Sequence, residues 1–528
     1  MVLLIYLSAI AILAVGLIYT VLHVGSRASN LPPGPPTLPI LGNLHLLPGK
    51  GLHLKLTKWA KQYGGIYSLK MGTGTAVVLT DRRIVKELLD KKSSIYSARP
   101  QSYLNDLISG SDHMLVMHYG EAWRHFRKIS HQHFMETMVE KEHIKVQEAE
   151  AVQMIRDFII APEKHMIHPK RFSNSIVMSL IYGHRSATCN EPYMVRLYEV
   201  MDQLSVINEI GNTPPVDVYP FLRWVPEQLL GMWVTRATKL YNDENSLFSD
   251  LLDMVQARRE REGSKDTFMD RIIEQAEKAG LNRHQQYYLA GTMLEGGSDT
   301  SSAILIAFIH AMTKWPEIQL KAQAEIDAVI GEDRSPNWSD YASLPYVAAT
   351  VKEANRWRPI VPLAFPHAVI EDDYIDGYFI PKGTTVILNS WGLHHDERKF
   401  RHPEKFDPDH YKGQTELAPV LAAAADYEIR DHYGYGTGRR ICPGIHLAER
   451  NLFLGIAKLL WAFSFAPGKD EQGRVIEPDV EPMTAYSPGF LSSALPYAVE
   501  IKPRSQKRVE TIMREFKEAG EVFTKYEK

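Results

Sequence analysis

Tyr433-Gly434-Tyr435-Gly436-Thr437-Gly438-Arg439-Arg440-Ile441-Cys442-Pro443-Gly444 surrounds one of the two cysteines of this 528-residue chain with four glycines and a proline. Glycines let a backbone approach a bulky group closely and take up positive φ. Pro443 has no N–H, so it thins the donors just past the sulfur. The remaining N–H groups can point at a thiolate, and Arg439 and Arg440 are expected to hold Cys442 ionised. A thiolate in such a loop, beside fixed cations, suits a metal centre that carries anionic arms. The alternative is an inert buried cysteine in a glycine loop. The other cysteine, Cys189, lies in the polar run Ser186-Ala187-Thr188-Cys189-Asn190, which has no glycine cradle.

Working outward, Leu447–Phe463 reads as an apolar helix leaving the loop. Upstream, Val351-Lys352-Glu353-Ala354-Asn355-Arg356 reads as a helix ended before Pro359, and Glu353 and Arg356 at i and i+3 can pair on one face. The apolar run from Ile360 to Phe365 would line a pocket; an ordinary connector is the alternative. Asn282–Lys314 is the longest helix candidate, about 50 Å at 1.5 Å per residue. Its middle reads Gly296-Gly297-Ser298-Asp299-Thr300-Ser301. Two adjacent glycines cost about 1 kcal/mol each in a helix. The helix either breaks there, with Ser298 or Asp299 as a new N-cap, or stays whole with a local distortion. In the second case Asp299 and Thr300 supply an acid and a hydroxyl for a proton relay. Trp123 and Arg127, four apart in a helix starting near Tyr119, make a clamp for a carboxylate; a surface cation–π pair is the alternative. The nearby His118, His125, His131 and His133 have no zinc-site spacing.

A haem meets the demand of the cysteine loop, with an open axial position on iron and two propionates. The pattern aromatic-x-x-Gly-x-Arg-x-Cys-x-Gly, at Tyr435, Gly438, Arg440, Cys442 and Gly444, resembles the cysteine loop of the cytochrome P-450 monooxygenases. Tyr435 stands where that family usually has Phe. Gly296 to Thr300 resembles the family's oxygen-activation motif, with Gly297 as its fixed glycine. Glu353 and Arg356 resemble its core ion pair beneath the haem. Trp123 and Arg127 look like its propionate clamp, and His367 falls where the family often has a propionate-binding residue. Pro408-Asp409-His410-Tyr411 places His410 where the family completes the core pair with Arg. A histidine there can be neutral near pH 7. By position, Val361, Leu363, Ala364 and Phe365, together with Phe490 in the turn Tyr486–Leu491, resemble substrate contacts.

The N-terminus reads separately. Val2–Val24 has no charged residue and as a helix would span roughly 34 Å, enough for a bilayer core. It has neither the short apolar core nor the basic front of a cleaved signal peptide. It is read as an uncleaved anchor, with Arg27 behind it as a thin signal for a cytosolic body. Leu31-Pro32-Pro33-Gly34-Pro35-Pro36 is expected to be a semi-rigid spacer, similar to the hinge of membrane-bound family members. Leu52–Tyr63 has a helical period, Gly65–Met71 and Thr75–Thr80 look like strands, and Asp81–Asp90 like a helix. Tyr378–Ile380 and Thr384–Leu388 read as two short strands turned on one another through Pro381-Lys382-Gly383. Gly211–Pro226 is a proline- and aromatic-rich loop that either meets a membrane face or roofs a pocket, or is simply packed between helices. Past Pro503, Val509, Ile512, Met513, Phe516 and Phe523 recur at helical spacing.

The resemblance implies a mainly α fold with a small β-rich lobe, preceded by one transmembrane helix. The expected division is 1–25 anchor, 26–36 hinge, 37–505 haem-thiolate domain and 506–528 amphipathic helix. It implies heme b with Cys442 as the iron ligand, and insertion of one oxygen atom from O2 into a C–H bond. Electrons are expected from NADPH through a separate membrane-bound reductase. The implied location is the endoplasmic reticulum membrane, single-pass, with the body facing the cytosol. A net charge of −3 leaves no footprint for nucleic acid. Tyr63-Gly64-Gly65-Ile66-Tyr67, Glu295 to Ser302 and His432 to Gly436 look like fungal polyketide-pathway members, especially hydroxylases of small phenolic compounds such as m-cresol or its benzyl alcohol. Two other functions stay open: a haem-thiolate isomerase or dehydratase that needs no reductase, and a membrane-tethered haem sensor without turnover.

Overall fold

A computed structural model describes residues 2–209, 211–488 and 490–527. The side chains of 2–4, 9, 17–18 and 20–23 lie outside that description. Helices dominate, and the strands are few and short. β1 (Ile66–Met71) and β2 (Gly74–Leu79) form an antiparallel hairpin, Ile66 opposite Leu79. β6 (Thr385–Leu388) pairs parallel with β2, and β3 (His367–Ala368) closes the sheet in the order β1-β2-β6-β3. The expected pairing of Tyr378–Ile380 with the Thr384–Leu388 run does not occur. β5 (Tyr378–Ile380) pairs instead with β4 (Asp373–Ile375), and β6 goes to the larger sheet. The reason is burial: Val386 and Leu388 lie inside the β lobe with Val77 and Leu79.

The Asp81–Asp90 expectation is met by two shorter windings. Asp81 caps Arg82–Val85 by accepting from the Ile84 N–H at 3.0 Å, and Lys86–Lys91 then widens into a π-helix. Leu52–Tyr63 is helical as the period predicts. Gly211–Pro226 holds only short 3₁₀ turns, and Phe221 and Trp224 stay exposed.

The long helix, Arg283–Lys314, runs 32 residues through the glycine pair without a break. Its start is fixed by a capping box, Asn282 with Gln285. It packs against the His168–Tyr182 helix and against Ile445–Ala462, the helix that leaves the cysteine loop. Gly455 lets that second contact close, because a Cβ there would meet Leu305 Cδ2 at 2.8 Å. One apolar core joins these helices, with Leu305, Phe308, Phe453 and Trp461 inside.

The proline segment is strapped to the body rather than acting as a spacer. Ser68 Oγ donates to the Pro32 carbonyl at 2.6 Å, and the Ser68 N–H to Pro33 at 2.7 Å. Arg27 donates to the Gly34 and Pro35 carbonyls, and Asn43 Nδ2 to those of Pro35 and Pro36. A polyproline run has unpaired carbonyls, and these side chains take them up. Ahead of it, Val2–His23 is a 22-residue helix. The anchor expectation falls partly on side chains outside the described set; among the described residues no helix is long and apolar enough to cross a membrane.

The C-terminal helix, Gln506–Thr524, lies on the Ile144–Ile160 helix. Phe523 packs with Ala149 and Ala519, and the Arg185 guanidinium sits 3.6 Å from the Phe523 ring centroid. Beneath it, Glu150 is buried between Arg171 (2.6 Å) and Arg185 (2.9 Å).

Candidate active site

The cysteine loop is held by its own backbone. The Cys442 N–H donates to the Tyr435 carbonyl at 2.8 Å, and the Gly436 N–H to Tyr433 at 2.9 Å. Gly438 has φ +53°, and a Cβ there would stand 2.0 Å from the Leu89 carbonyl oxygen, so glycine is required on both counts. Its N–H is taken by Asp90 Oδ1 at 2.9 Å. Gly444 begins the helix that follows and turns its N–H toward Cys442.

Cys442 is half-buried and free. Its surroundings push the thiol up by desolvation, while the Gly444 N–H and the Arg127 charge pull it down. The cation expected to act on the sulfur is therefore displaced. Arg439 reaches the Tyr119 hydroxyl. Arg440 donates to the carbonyls of Ser97 (2.9 Å), Met114 (3.3 Å) and Met117 (2.8 Å), with its guanidinium 4.3 Å from the Trp123 ring centroid. Arg127, from the Glu121–Phe134 helix, is the charge near the thiol, and it donates to the Ile441 carbonyl. Both loop arginines are spent on other partners, so a helix distant in sequence supplies the charge at the sulfur.

Trp123, Arg127, Arg440 and His367 thus come together, and Arg99, which no spacing or period marks, joins them. Arg99 donates to the carbonyls of Leu115 (2.7 Å), Phe365 (2.9 Å) and Pro366 (2.8 Å). Among the described residues no carboxylate lies within ion-pair reach of Arg99, Arg127 or Arg440. Desolvation, and then mutual repulsion, lowers Arg99 well below its ordinary value and Arg440 to about 9. His367 is driven to about 3 by burial and by Arg99 and Arg440; its Nδ1–H donates to the Tyr96 carbonyl at 2.7 Å. A set of buried, uncompensated cations is costly unless an anion completes it. The donor set therefore fits a thiolate-held group with two carboxylate arms. Among the described residues no cluster of three or more His, Cys, Asp or Glu is placed to hold a metal ion.

On the long helix the two glycines divide their tasks. A Cβ on Gly297 would meet Val177 Cγ1 at 2.3 Å, so Gly297 serves close packing on the His168–Tyr182 helix rather than a cofactor. Gly296 is exposed, a Cβ there would meet no neighbour within 4 Å, and Thr300 is half-exposed on the same side. The Thr300 hydroxyl donates to the Gly296 carbonyl at 2.7 Å. Burial raises the Asp299 carboxyl, with Lys170 opposing and Asp202 adding to the rise.

Beneath the loop, Arg356 grips Glu353 with two hydrogen bonds of 2.7 Å, both side chains fully buried. Arg356 also donates to the carbonyls of His394, Pro403 and Lys405. Glu353 Oε1 accepts the Asp407 N–H at 2.7 Å and faces His410 Nδ1 at 3.1 Å. His410 Nε2 stands 2.7 Å from the Arg401 carbonyl, which can only accept. Burial works against the His410 charge, but the Glu353 hydrogen bond and charge outweigh it and raise its pKa.

The suggested substrate wall is narrower than expected. Phe365 and Phe490 meet edge-on, ring centroids 4.8 Å apart, and Val361 is half-buried nearby in sequence. Leu363 packs against the Leu56 and Tyr67 cluster, and Ala364, at φ +49°, enters the β-lobe core. The turn closed by the Ala364 N–H on the Val361 carbonyl (3.0 Å) rotates both away from Phe365.

Comparison with known proteins agrees with this geometry. The Cytochrome P450 family profile matches residues 32–491. Cytochrome P450 monooxygenase macC of Penicillium terrestre is 52% identical over 504 residues, covering 94% of each chain. Cytochrome P450 monooxygenase patI of Aspergillus clavatus is 51% identical over 506 residues, 96% of this chain and 95% of its own. A cytochrome P450 monooxygenase of Arthrobotrys oligospora is 50% identical over 521 residues, 98% of this chain and 97% of its own. With the cysteine loop, the uncompensated cations and the glycine-bearing helix in one fold, this chain belongs to the cytochrome P450 family and is a monooxygenase.

Proposed function

We propose that this chain hydroxylates a small, largely apolar or aromatic molecule, a phenolic compound of the m-cresol type, in fungal polyketide biosynthesis. The observation that carries the cofactor side of this reading is the set Arg99, Arg127 and Arg440, three buried cations with no carboxylate in ion-pair reach among the described residues, of which Arg127 acts on the half-buried Cys442. When bound, heme b supplies the iron at which O2 is cleaved and one oxygen atom is passed to a C–H bond. Cys442 would be its thiolate ligand, and Trp123, Arg127, Arg440, Arg99 and His367 would hold its two carboxylates. Bringing anions among these groups favours their charged forms, His367 included. Asp299 and Thr300 hold and pass the protons that O–O cleavage consumes, Thr300 from the open side of the helix and Asp299 from a carboxyl kept high by burial. Val361, Phe365 and Phe490 give an apolar wall that suits an aromatic ring. The relatives in Penicillium and Aspergillus support the fungal setting. Electrons would come from NADPH through a membrane-bound reductase.

Two measurements test this reading. The reduced, carbon monoxide-bound protein should show the red-shifted Soret band of thiolate ligation; Cys189→Ser should keep it and Cys442→Ser should lose both band and turnover. Incubation with reductase, NADPH, O2 and a panel of small phenols, read by mass spectrometry, should give oxygenated product. Product without reductase would favour the isomerase or dehydratase, and a haem spectrum with no turnover the sensor. The anchor is proposed on the uncharged 22-residue Val2–His23 helix, which would place the protein in the endoplasmic reticulum membrane facing the cytosol. Deleting residues 1–30 should move much of the protein to the soluble fraction; a wholly membrane-bound truncation rejects that helix as the sole anchor.

A further inference from the structure

Ser298, in the middle of the long helix, makes two bonds outside its own helix. Asn174 Nδ2, on the His168–Tyr182 helix, donates to Ser298 Oγ at 3.0 Å. The Tyr198 hydroxyl, on the Pro192–Asn208 helix, lies 3.2 Å from the Ser298 carbonyl and 3.3 Å from that of Lys170, and shares its one proton between them. Asn174 and Val177 are three residues apart and share a face. That face meets the glycine-bearing turn, Val177 against Gly297 and Asn174 against Ser298. Ser298 immediately precedes Asp299 and Thr300.

Asn174 is the last member of a longer string of bonds. Its Oδ1 accepts from Ser186 Oγ at 2.6 Å. The Ser186 N–H donates to Ser175 Oγ at 3.1 Å, and Ser175 Oγ to Glu150 Oε1 at 2.8 Å. Glu150 Oε1 also accepts from Arg185 Nε at 2.9 Å, while Arg171 takes Oε2 at 2.6 Å and reaches the Ser186 carbonyl at 3.3 Å. Arg185 in turn is gripped by the end of the chain. Its guanidinium donates to Glu527 and lies on the Phe523 ring, and its N–H donates to the Tyr526 carbonyl at 3.2 Å. Asn174, Ser175, Ser186 and Ser298 are 0% exposed, Glu150 1% and Arg185 4%. Inside a protein such bonds are strong, and moving one member orphans the next at a desolvation cost. The segment that closes the string, Gln506–Thr524 with the residues after it, lies beyond the stretch 32–491 that the family profile matches.

We propose that Asn174 and Ser298 are positioning residues for the turn that carries Asp299 and Thr300, and that the C-terminal helix is the far end of the same brace. The helix holds Arg185, Arg185 holds Glu150, and Glu150 fixes Ser175 and Ser186, which set Asn174 against Ser298. The brace fixes the rotation of the long helix about its axis at Gly296-Gly297, the step where helix propensity is weakest. It thereby sets where the Asp299 carboxyl and the Thr300 hydroxyl point. No proton, electron or covalent bond is exchanged along it. The inference rests on the role proposed for Asp299 and Thr300 and not on the phenolic substrate.

The test uses the full-length holoenzyme and two readouts. One is the infrared C–O stretch of the reduced, carbon monoxide-bound protein, which senses the ligand pocket without turnover. The other is product and peroxide per NADPH with reductase, O2 and m-cresol. Asn174→Ala and Ser298→Ala should keep haem content and the red-shifted Soret band, yet shift or broaden the C–O stretch. Product per NADPH should fall about fivefold in each, a smaller loss than the ~100-fold for removing an acid–base group outright. Phe523→Ala, at the far end of the brace, should act in the same direction to a smaller degree. Combined with Asn174→Ala it should add nothing, because the bond it acts through is already gone. Lys507→Ala loses an ion pair to Asp333 (2.7 Å) on the same C-terminal helix but outside the brace, and should leave both readouts at wild type. If Asn174→Ala fails to take up haem, Ser298→Ala carries the expectation by removing a single hydroxyl. A wild-type C–O stretch in Ser298→Ala, or effects of Asn174→Ala and Phe523→Ala that multiply in the double variant, would overturn the brace. No product from m-cresol in the wild type would sink that substrate, and the C–O stretch would still decide the brace. Full product per NADPH in Thr300→Ala beside a shifted stretch in Ser298→Ala would remove the proton-delivery role and leave the brace standing.

Discussion

Glu353 and Glu295 are both buried carboxylates on core helices, and the fold treats them oppositely. Glu353 has both oxygens engaged, by Arg356 twice, by the Asp407 N–H and by His410. Glu295 has one oxygen on His113 and the other on nothing among the described residues. A carboxylate whose oxygens are all committed to fixed donors braces, with its arginine, the 394–410 segment they reach. An unsaturated one keeps an oxygen open to a further donor. The difference teaches that burial alone does not mark a working acid; what counts is whether the lone pairs are already committed.

The contrast can be broken most forcefully at the braced end. Glu353→Ala leaves Arg356 buried without a countercharge, with only carbonyls to meet it. Losing one partner of such a pair costs about 3–5 kcal/mol. Denaturant unfolding should show that loss, together with loss of haem; full haem content in Glu353→Ala would reject the bracing role. At the other end, Thr300→Ala should leave stability within roughly 0.5 kcal/mol, as for a site away from packed or paired groups. Its effect should fall on coupling instead, with more peroxide and about 10²-fold less product per NADPH. Unchanged product per NADPH would remove Thr300 from proton delivery.

The smallest expected effect sharpens the comparison at His410. Its folded pKa is raised above the unfolded value, by the Glu353 hydrogen bond and charge against the opposing effect of burial. Such a group contributes stability that is fully present below the unfolded value of about 6.5, and loses it as pH rises through the folded pKa. The Tm advantage of wild type over His410→Gln should therefore shrink on going from acid to alkaline pH, from a contribution on the order of 1–2 kcal/mol for a charge-assisted hydrogen bond. His410→Arg should remove the pH dependence, because a guanidinium stays charged throughout. A Tm difference that is flat with pH would show that His410 holds Glu353 as a neutral donor.

Much of the site could be read in the chain because its parts are local. The cysteine loop, the i, i+3 pair of Glu353 and Arg356, and the unbroken run from Asn282 to Lys314 each sit within one element, where spacing carries the information. The errors arose wherever a side chain had two neighbours to choose from. Arg439 and Arg440 adjoin Cys442 in sequence, but Arg127, more than 300 residues away, supplies the charge. Gly297 looked like the ligand-facing glycine, but Val177 occupies that side and Gly296 is the open one. Leu363 and Ala364 share the apolar run with Phe365 but turn into the β lobe. The proline segment read as a spacer because only tertiary contact with Ser68, Arg27 and Asn43 takes up its carbonyls.

By itself the sequence determined the helical and strand periods, the cysteine in its glycine loop and the order of the motifs along the chain. These follow from backbone preferences and from side chains a few residues apart, which act before any long-range contact forms. Only the tertiary structure decided which cations gather with no carboxylate in ion-pair reach among the described residues, and which face of the glycine pair stays open. Those choices depend on helices distant in sequence packing at close range, where desolvation makes a missing partner costly and a supplied one decisive.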